Sequence, residues 1–333
     1  MNHEQAWEAL SANKMLNDVD LSGVDWSGRD LSGCRLTNVR LDGANLADVQ
    51  MMGTLLQNVG LQGAQLPRVK AAESNFSDVD LSGANLQDAD FSFAPFSNCK
   101  LDTASFAGAQ LVRVDMHECS FAQTDFSRAN LNRWTVMDSD LSSVKFDGAA
   151  LLQAYLKGCN LTAQRFAGCD LTMTIFNGAL LQKADFSGAV LDRTSFMAAQ
   201  LQGALLSGVR GNYVALIDAQ LAQADLSNAS FEMCDASNAD FTQARADGVQ
   251  WNMSVLQKSM WRQAQLKNAV MRYCNLAHAD FSDADCSRAN LSGSDIHAMQ
   301  QKNTRWDGAG FDGVRPTDPV LERAENWQPA PSK

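Results

Sequence analysis

Large apolar residues recur at every fifth position from Leu16 to Phe311, and the spacing never shifts. Of the 60 positions in this series, 54 are Leu, Phe, Met, Trp, Val or Ile. Two residues before each of them, a second series holds Ala, Val, Cys, Ser or Thr at 55 of 60 positions. The other three residues of each five are mostly polar residues or glycine. The chain therefore has one large and one small inward position in every five residues.

A five-residue period excludes a single long helix and a single long strand. Five residues of an α-helix advance about 500° around its axis, so the apolar stripe would rotate around the cylinder. Side chains of a strand alternate with period two, so odd spacings would fall on opposite faces. A chain that turns a corner every five residues satisfies the pattern. Glycine supports corners, because 19 of the 22 glycines follow a large position by two residues, as Gly23 and Gly148 do, and turn dihedrals favour glycine.

Segments such as ANLAD, ANLQDADFS, ADFSGAVLD, ADLSNASF and ANLSGSDI resemble the pentapeptide-repeat family, whose pattern is A(D/N)LXX, over residues 14–313. The resemblance implies an all-β fold, a right-handed quadrilateral (four-sided) β-helix solenoid with 20 residues per coil and about 15 coils, roughly 70 Å long. Five phenylalanines spaced by 20 would form one ladder, but Phe pairs at the large position are as frequent at a spacing of 30, six of each. The four-sided geometry therefore depends on the resemblance. The ladder comprises Phe106, Phe126, Phe146, Phe166 and Phe186.

The two ends of the chain depart from the repeat and predict short helical caps. Residues 3–12 favour a helix with an apolar face at Ala6, Trp7 and Leu10. Asp318 followed by Pro319 is typical of a helix start. The domain prediction is an N-terminal helical cap over 1–13, the repeat over 14–313, and a short helix with a disordered tail (QPAPSK) over 314–333. The C-terminal segment has dimerisation as its alternative role.

The charge balance limits the possible partners. The chain has 27 Lys and Arg against 38 Asp and Glu, a net charge of −11, which disfavours direct nucleic-acid binding. An acidic protein suits a basic partner or mimicry of a polyanion. No stretch approaches the ~20 apolar residues of a membrane span, and the first residues lack the pattern of a signal peptide. We expect a cytoplasmic bacterial protein, with export by a specialised secretion system left open.

Residues with catalytic potential follow the repeat instead of forming a site. All eight cysteines occupy inward positions without a CxxC spacing, so we interpret them as small apolar residues. The four histidines, His3, His117, His278 and His297, are interpreted as isolated and outward. No phosphate-binding or dinucleotide motif is present. We therefore expect no catalytic, cofactor or metal site, and a protein that is not an enzyme.

Function should lie where outward positions stop being small and polar. With a 20-residue coil, one corner would align four apolar residues, and adjacent columns would widen this apolar edge into a candidate partner site. Accidental alignment of scattered apolar residues is the alternative. The corner residues are Tyr213, Met233, Met253 and Tyr273, and the adjacent ones are Tyr155, Ile175, Met197, Ile217 and Val255.

Two further departures concern charge and core size. No Asp or Glu lies between Asp247 and Asp280, whereas four cations do, and the repeat places them on four different faces. Three large positions in the same region as the apolar edge are undersized, which predicts local distortion over 205–250. The cations are Lys258, Arg262, Lys267 and Arg272; the undersized positions are Gly211, Ala236 and Ala246.

These features favour a non-enzymatic interaction scaffold that presents a rigid side to a protein partner. The resemblance allows a secretion-system adaptor or effector. It also allows the alternative of a DNA-mimicking modulator of DNA gyrase or topoisomerase. The net charge favours that alternative, but Arg40, Lys100 and Arg245 are among the cations that interrupt the acidic columns. A homodimer through the apolar edge or the C-terminal segment also remains open.

Overall fold

Each β-pairing joins segments that are 20 residues apart in a parallel register, such as Met15 with Arg35 and Asp25 with Asn45. This is the register of a β-solenoid, and it confirms the four pentapeptides per coil that the family resemblance implies. The computed structural model describes residues 3–327. The chain divides into two compact units, Met1–Ala179 and Leu180–Lys333.

Regular strands are short and occur on only some sides of the coils. The first unit holds helix α1 and one parallel sheet of seven strands in chain order, and the second holds a two-stranded parallel sheet and helix α2. Elsewhere the coils pair through single bridges. The elements are α1 His3–Asn13, β1 Met15–Asp20, β2 Arg35–Arg40, β3 Leu55–Gln57, β4 Asn75–Ser77, β5 Phe96–Ser97, β6 Asp115–His117, β7 Thr135–Val136, β8 Arg210–Asn212, β9 Ser230–Glu232 and α2 Pro319–Glu325.

Backbone hydrogen bonds hold each coil to the next. The N–H of Leu21 donates to the carbonyl of Arg40 at 2.7 Å, and the N–H of Asn45 donates back to Val24 at 2.8 Å. Within a corner, the N–H of Val24 donates to Leu21 at 3.1 Å. The residue two places after the large position turns with a positive φ, +71° at Gly23. The corners predicted from the glycine distribution are confirmed, because all 19 of those glycines have positive φ.

The large inward side chains stack from coil to coil. In the first unit the rings of Phe106 and Phe126 are 5.1 Å apart between centroids, those of Phe126 and Phe146 6.2 Å, and those of Phe146 and Phe166 6.1 Å. Phe186, the last member of the predicted ladder, lies in the second unit. Burying each such side chain contributes about 2 kcal/mol. The interior of each unit is therefore a packed core.

Two residues that break the sequence pattern are accommodated in different ways. Gln164 occupies a small inward position, where its amide Nε2 lies 2.8–3.1 Å from the carbonyl oxygens of Leu141, Ser142 and Val144. Gly211 occupies a large position within β8 and pairs with Phe231. A Cβ at 211 would lie 2.6 Å from Cγ2 of Val214, so neighbouring atoms take the space of the missing side chain.

Helix α1 buries two of its residues, whereas helix α2 buries none. In α1, Ala6 and Leu10 are buried, and the ring of Trp7 lies 5.7 Å from that of Trp26. In α2, Asp318 is the N-cap as the sequence predicts, but the helix buries none of its residues. Neither helix of the described residues is both long and apolar enough to cross a bilayer. The predicted disordered tail, residues 328–333, lies outside the described residues.

Neighbouring atoms occupy the space beside Gly211. We therefore predict that a larger residue there destabilises the protein, although the repeat usually has a large residue at this position. Gly211→Ala moves the residue toward the apolar type that the large position usually holds, yet it should lower the free energy of unfolding by about 1–3 kcal/mol, because Val214 and Leu191 leave no room. Gly310→Ala is the matched control, since its Cβ would meet no atom closer than 3.6 Å. Urea unfolding measures both. Equal stability of the two variants would contradict the account.

Candidate protein-interaction surface

Four large apolar side chains project from successive coils of the second unit and form what we call the apolar column: Tyr213, Met233, Met253 and Tyr273. Their exposed fractions are 52%, 38%, 52% and 60%. Each N–H donates to a carbonyl of the following coil, as Met253 does to Arg272 at 2.9 Å. The backbone is therefore fixed, and the side chains form a row on the surface.

The apolar column occupies corner positions whose backbone disfavours large side chains. The φ angles are +59° at Tyr213, +53° at Met233, +55° at Met253 and +57° at Tyr273. A non-glycine residue in this left-handed region costs about 1 kcal/mol. Elsewhere these positions mostly carry glycine or polar residues such as Asn228. The side chains are only partly buried in return, so burial alone does not explain their presence.

Contacts at both ends of the column hold its tyrosines. The guanidinium of Arg193 lies 5.9 Å from the ring centroid of Tyr213, a cation–π distance. The Arg272 guanidinium lies 5.3 Å from the ring of Tyr273. That ring also covers Gly293, where a Cβ would overlap it. The two terminal side chains are therefore positioned before any partner arrives.

The residues predicted to widen this column into an apolar edge differ in exposure. Ile217 and Val255 are half-buried, and Val255 lies between Asp235 and Asn275 in its own column. Met197 is 39% exposed. Among the predicted edge residues of the second unit, the four corner residues and Met197 are therefore the exposed ones.

Two other residues of the predicted edge belong to the first unit. Tyr155 and Ile175 are half-buried there and face each other across a parallel bridge. The twenty-residue register thus places them next to each other.

The predicted positive segment is partly neutralised by the following coil. Nε of Arg262 lies 2.5 Å from Oδ2 of Asp280, and Nζ of Lys267 lies 3.6 Å from Asp285. Burial alone would raise the pKa of Asp280, but hydrogen bonds from Ser282 and Arg262 outweigh it and lower that pKa. Two of the four cations of this segment are therefore engaged in ion pairs.

Six of the eight inward cysteines are buried and pack as small core residues. The thiol of Cys159 is buried and lies 3.6 Å from the carbonyl oxygen of Val136 in the preceding coil. Burial raises the pKa of Cys159 to about 11 and that of Cys234 to about 12. Such thiols stay protonated near neutral pH and are poor nucleophiles.

A cluster of two histidines and a glutamate at α2 was missed by sequence reasoning. Nε2 of His278 lies 3.3 Å from Oε1 of Glu325, and Nε2 of His297 lies 3.1 Å from Oε2. His297 is buried, with 5% exposure, so the interpretation of these histidines as isolated and outward is wrong. Hydrogen bonding from His297 lowers the pKa of Glu325. No sequence signal reveals the cluster, since Glu325 lies outside the repeat.

Helix α2 adds a second exposed apolar surface. Val320, Leu321 and Trp327 are 67%, 46% and 71% exposed. Val320, Ala324 and Trp327 line one shallow groove together with Arg323. This surface lies in the C-terminal segment, whose alternative role is dimerisation.

Two family descriptions match this chain. The model of the pentapeptide repeat region matches residues 69–146 and 110–186. The model of pentapeptide repeats in eight copies matches 16–51, 34–70, 174–210, 216–249 and 262–297. No curated protein matches the chain.

Similar solved structures also contain pentapeptide repeats. One is trypsin-treated QnrB1, a plasmid-mediated fluoroquinolone resistance protein, with 17% identity, a TM-score of 0.38, and coverage of 69% of this chain and 93% of that one. Another is HetL from the cyanobacterium Nostoc, involved in heterocyst differentiation regulation, with 17% identity, a TM-score of 0.24, and coverage of 96% and 98%. At these identities the likeness concerns the fold alone.

The Glu325 cluster predicts how α2 is held. Glu325→Ala removes the acceptor shared by His278 and His297, and because α2 buries no residue, its backbone amides should exchange at least tenfold faster. Hydrogen–deuterium exchange of residues 320–326 measures this. Glu322→Ala, an exposed carboxylate on the same helix, is the control. Unchanged exchange in Glu325→Ala would show that other contacts hold α2.

Proposed function

Because the chain belongs to the pentapeptide-repeat family, whose models together match residues 16–210, 216–249 and 262–297, we propose that it is a non-enzymatic interaction scaffold. Its binding site for a protein partner is the apolar column of the second unit. The packed interior of each unit supports a role carried by the surface. The eight free thiols suit a reducing compartment, and we propose a cytoplasmic bacterial location.

One observation carries the proposal: four successive corners that favour glycine or asparagine instead hold Tyr, Met, Met and Tyr at +53° to +59°. Tyrosine and methionine are enriched in protein interfaces, and methionine adapts to irregular partners. The ring of Tyr273 over Gly293 and the guanidinium of Arg193 near Tyr213 restrict the ends of the row. A restrained side chain loses less conformational entropy on binding.

The row also has polar borders. Asn212, Glu232, Asn252 and Arg272 precede the column residues in the chain. An apolar centre with a polar rim is the usual anatomy of a protein interface. An adaptor or effector of a secretion system is one role that such a surface would serve, and a homodimer through the column or α2 is another.

The alternative of a DNA-mimicking gyrase modulator has less support. Mimicry needs continuous negative columns, yet the 20-residue register pairs cations with carboxylates of the preceding coil. Arg40 lies 3.1 Å from Asp20, and Arg245 lies 3.6 Å from Asp225. The net charge of −11 is therefore interspersed with positive charge along these faces.

The test replaces the two central methionines without disturbing their turns. Met233→Asn with Met253→Asn keeps a residue that tolerates positive φ, so the melting temperature should stay within about 2 °C of the original. Binding of the partner should fall at least tenfold, since both central apolar contacts are lost. Affinity purification from the native host with quantitative mass spectrometry identifies the partner and measures how much of it is retained. Light scattering measures the oligomeric state.

The control variant is Phe93→Asn, which changes an equivalent corner of the first unit with φ +62° and 50% exposure. A protein retained by the original chain and by Phe93→Asn, but lost from the double variant, supports the proposal. Identical protein profiles and oligomeric states for all three would contradict it. Gyrase subunits bound equally by all three would favour the alternative.

A further inference from the structure

We propose that His278, His297 and Glu325 form a binding site for a divalent transition metal ion, with Zn²⁺ as the best match. One ligand atom from each residue lies within 4.8 Å of the others. Two imidazole nitrogens and one carboxylate oxygen are a ligand set that zinc prefers. The site lies apart from the apolar column and does not depend on the proposed function.

Three separate parts of the second unit supply the ligands. His278 lies at a corner with φ +60°, His297 lies on the following coil, and Glu325 lies on α2. The N–H of His278 donates to the carbonyl of His297 at 2.8 Å, which fixes the two histidine backbones relative to each other. The metal would join these two coils to α2 by coordinate bonds in place of the hydrogen bonds of Glu325.

Burial differs among the ligands in a way that suits an open coordination position. The side chain of His297 is 6% exposed, whereas those of His278 and Glu325 are 34% and 37% exposed. Water can therefore reach one side of the cluster and complete a tetrahedral set. The shared carboxylate already bridges both rings without metal, so little rearrangement of Glu325 is needed.

Metal binding requires His297 to change its tautomer, and this change costs one hydrogen bond. The N–H of Asp318 donates to Nδ1 of His297 at 3.1 Å, so in the metal-free cluster Nε2 carries the hydrogen and donates to Glu325. A metal needs the lone pair of Nε2, so this hydrogen must move to Nδ1. The neutral ring keeps its proton count, but the Asp318 N–H loses its acceptor. Metal binding should therefore shift the turn that caps α2.

The consequence is a metal-dependent attachment of α2. This helix buries none of its residues, and Glu325 is the residue that links it to both histidines. A metal that takes all three ligands would replace two hydrogen bonds by coordinate bonds. Binding and ordering of α2 would then be coupled.

Titration of the chelator-treated full-length protein with Zn²⁺ tests the site. We expect one Zn²⁺ per chain by calorimetry and at least tenfold slower amide exchange over 320–326 when it binds. His278→Ala, whose side chain is a third exposed, removes a direct ligand and should weaken binding by more than the about 10–100-fold that is typical of losing a hydrogen-bond partner of a ligand. His117→Ala, an exposed histidine of the first unit, is the control and should bind as the original chain does.

Co²⁺ gives an independent readout of the ligand type. Visible absorption of a four-coordinate site without thiolate charge-transfer bands would support the assignment. Thiolate bands would contradict it, because they would place the ion on the cysteines. Zn²⁺ binding that His278→Ala and Glu325→Gln leave unchanged, or no saturable binding at 100-fold molar excess, would also overturn the proposal.

Discussion

The hydrogen bond from one coil to the next is the constraint on which the rest of the structure depends. Because the N–H of Leu21 reaches Arg40, and that of Asn45 reaches back to Val24, each residue has its equivalent 20 positions away as its neighbour. An inward residue therefore packs against the inward residue 20 positions away, as Phe106 does against Phe126. Because of this register, residues of one type repeated in successive coils form ladders in the interior and columns on the surface.

The same register explains how a regular solenoid acquires a distinctive surface. Corner side chains point away from the core, so the packing that fixes Leu21 does not restrict Met253. Four substitutions at 20-residue intervals then create one continuous feature, the apolar column. Charges obey the same rule. An Arg such as Arg245 meets the Asp of the coil before it, and exposed pairs of this kind contribute about 0–1 kcal/mol each. They neutralise the columns more than they stabilise them.

Much of the fold is predictable because its pattern is local. The five-residue period identifies inward positions and corners, and the positive φ of Gly23 agrees with it. The 20-residue register is harder to derive, since Phe spacings of 20 and 30 are equally frequent; the family resemblance supplies it. Once the register is known, the alignment of Tyr213 with Tyr273 follows. The exposure of the neighbouring residues does not follow from the register. Ile217 and Val255 are half-buried, and the extent of their burial depends on the side chains around them.

The features that the sequence does not reveal lie outside the repeat or at single residues that depart from it. Glu325 reaches His297 because α2 folds back onto the coils, and no periodicity places that helix. Gly211 has an apolar neighbour in the space of its absent side chain, which no count of undersized positions predicts.

Site-specific photo-cross-linking in the native host tests most directly whether the apolar column is the interaction surface. A benzoylphenylalanine at position 253, compared with one at position 93, places the same reactive group at two equivalent corners with φ of +55° and +62°. The account predicts a discrete protein adduct at 253 and none at 93. No adduct at 253, or the same adducts at both positions, would contradict it.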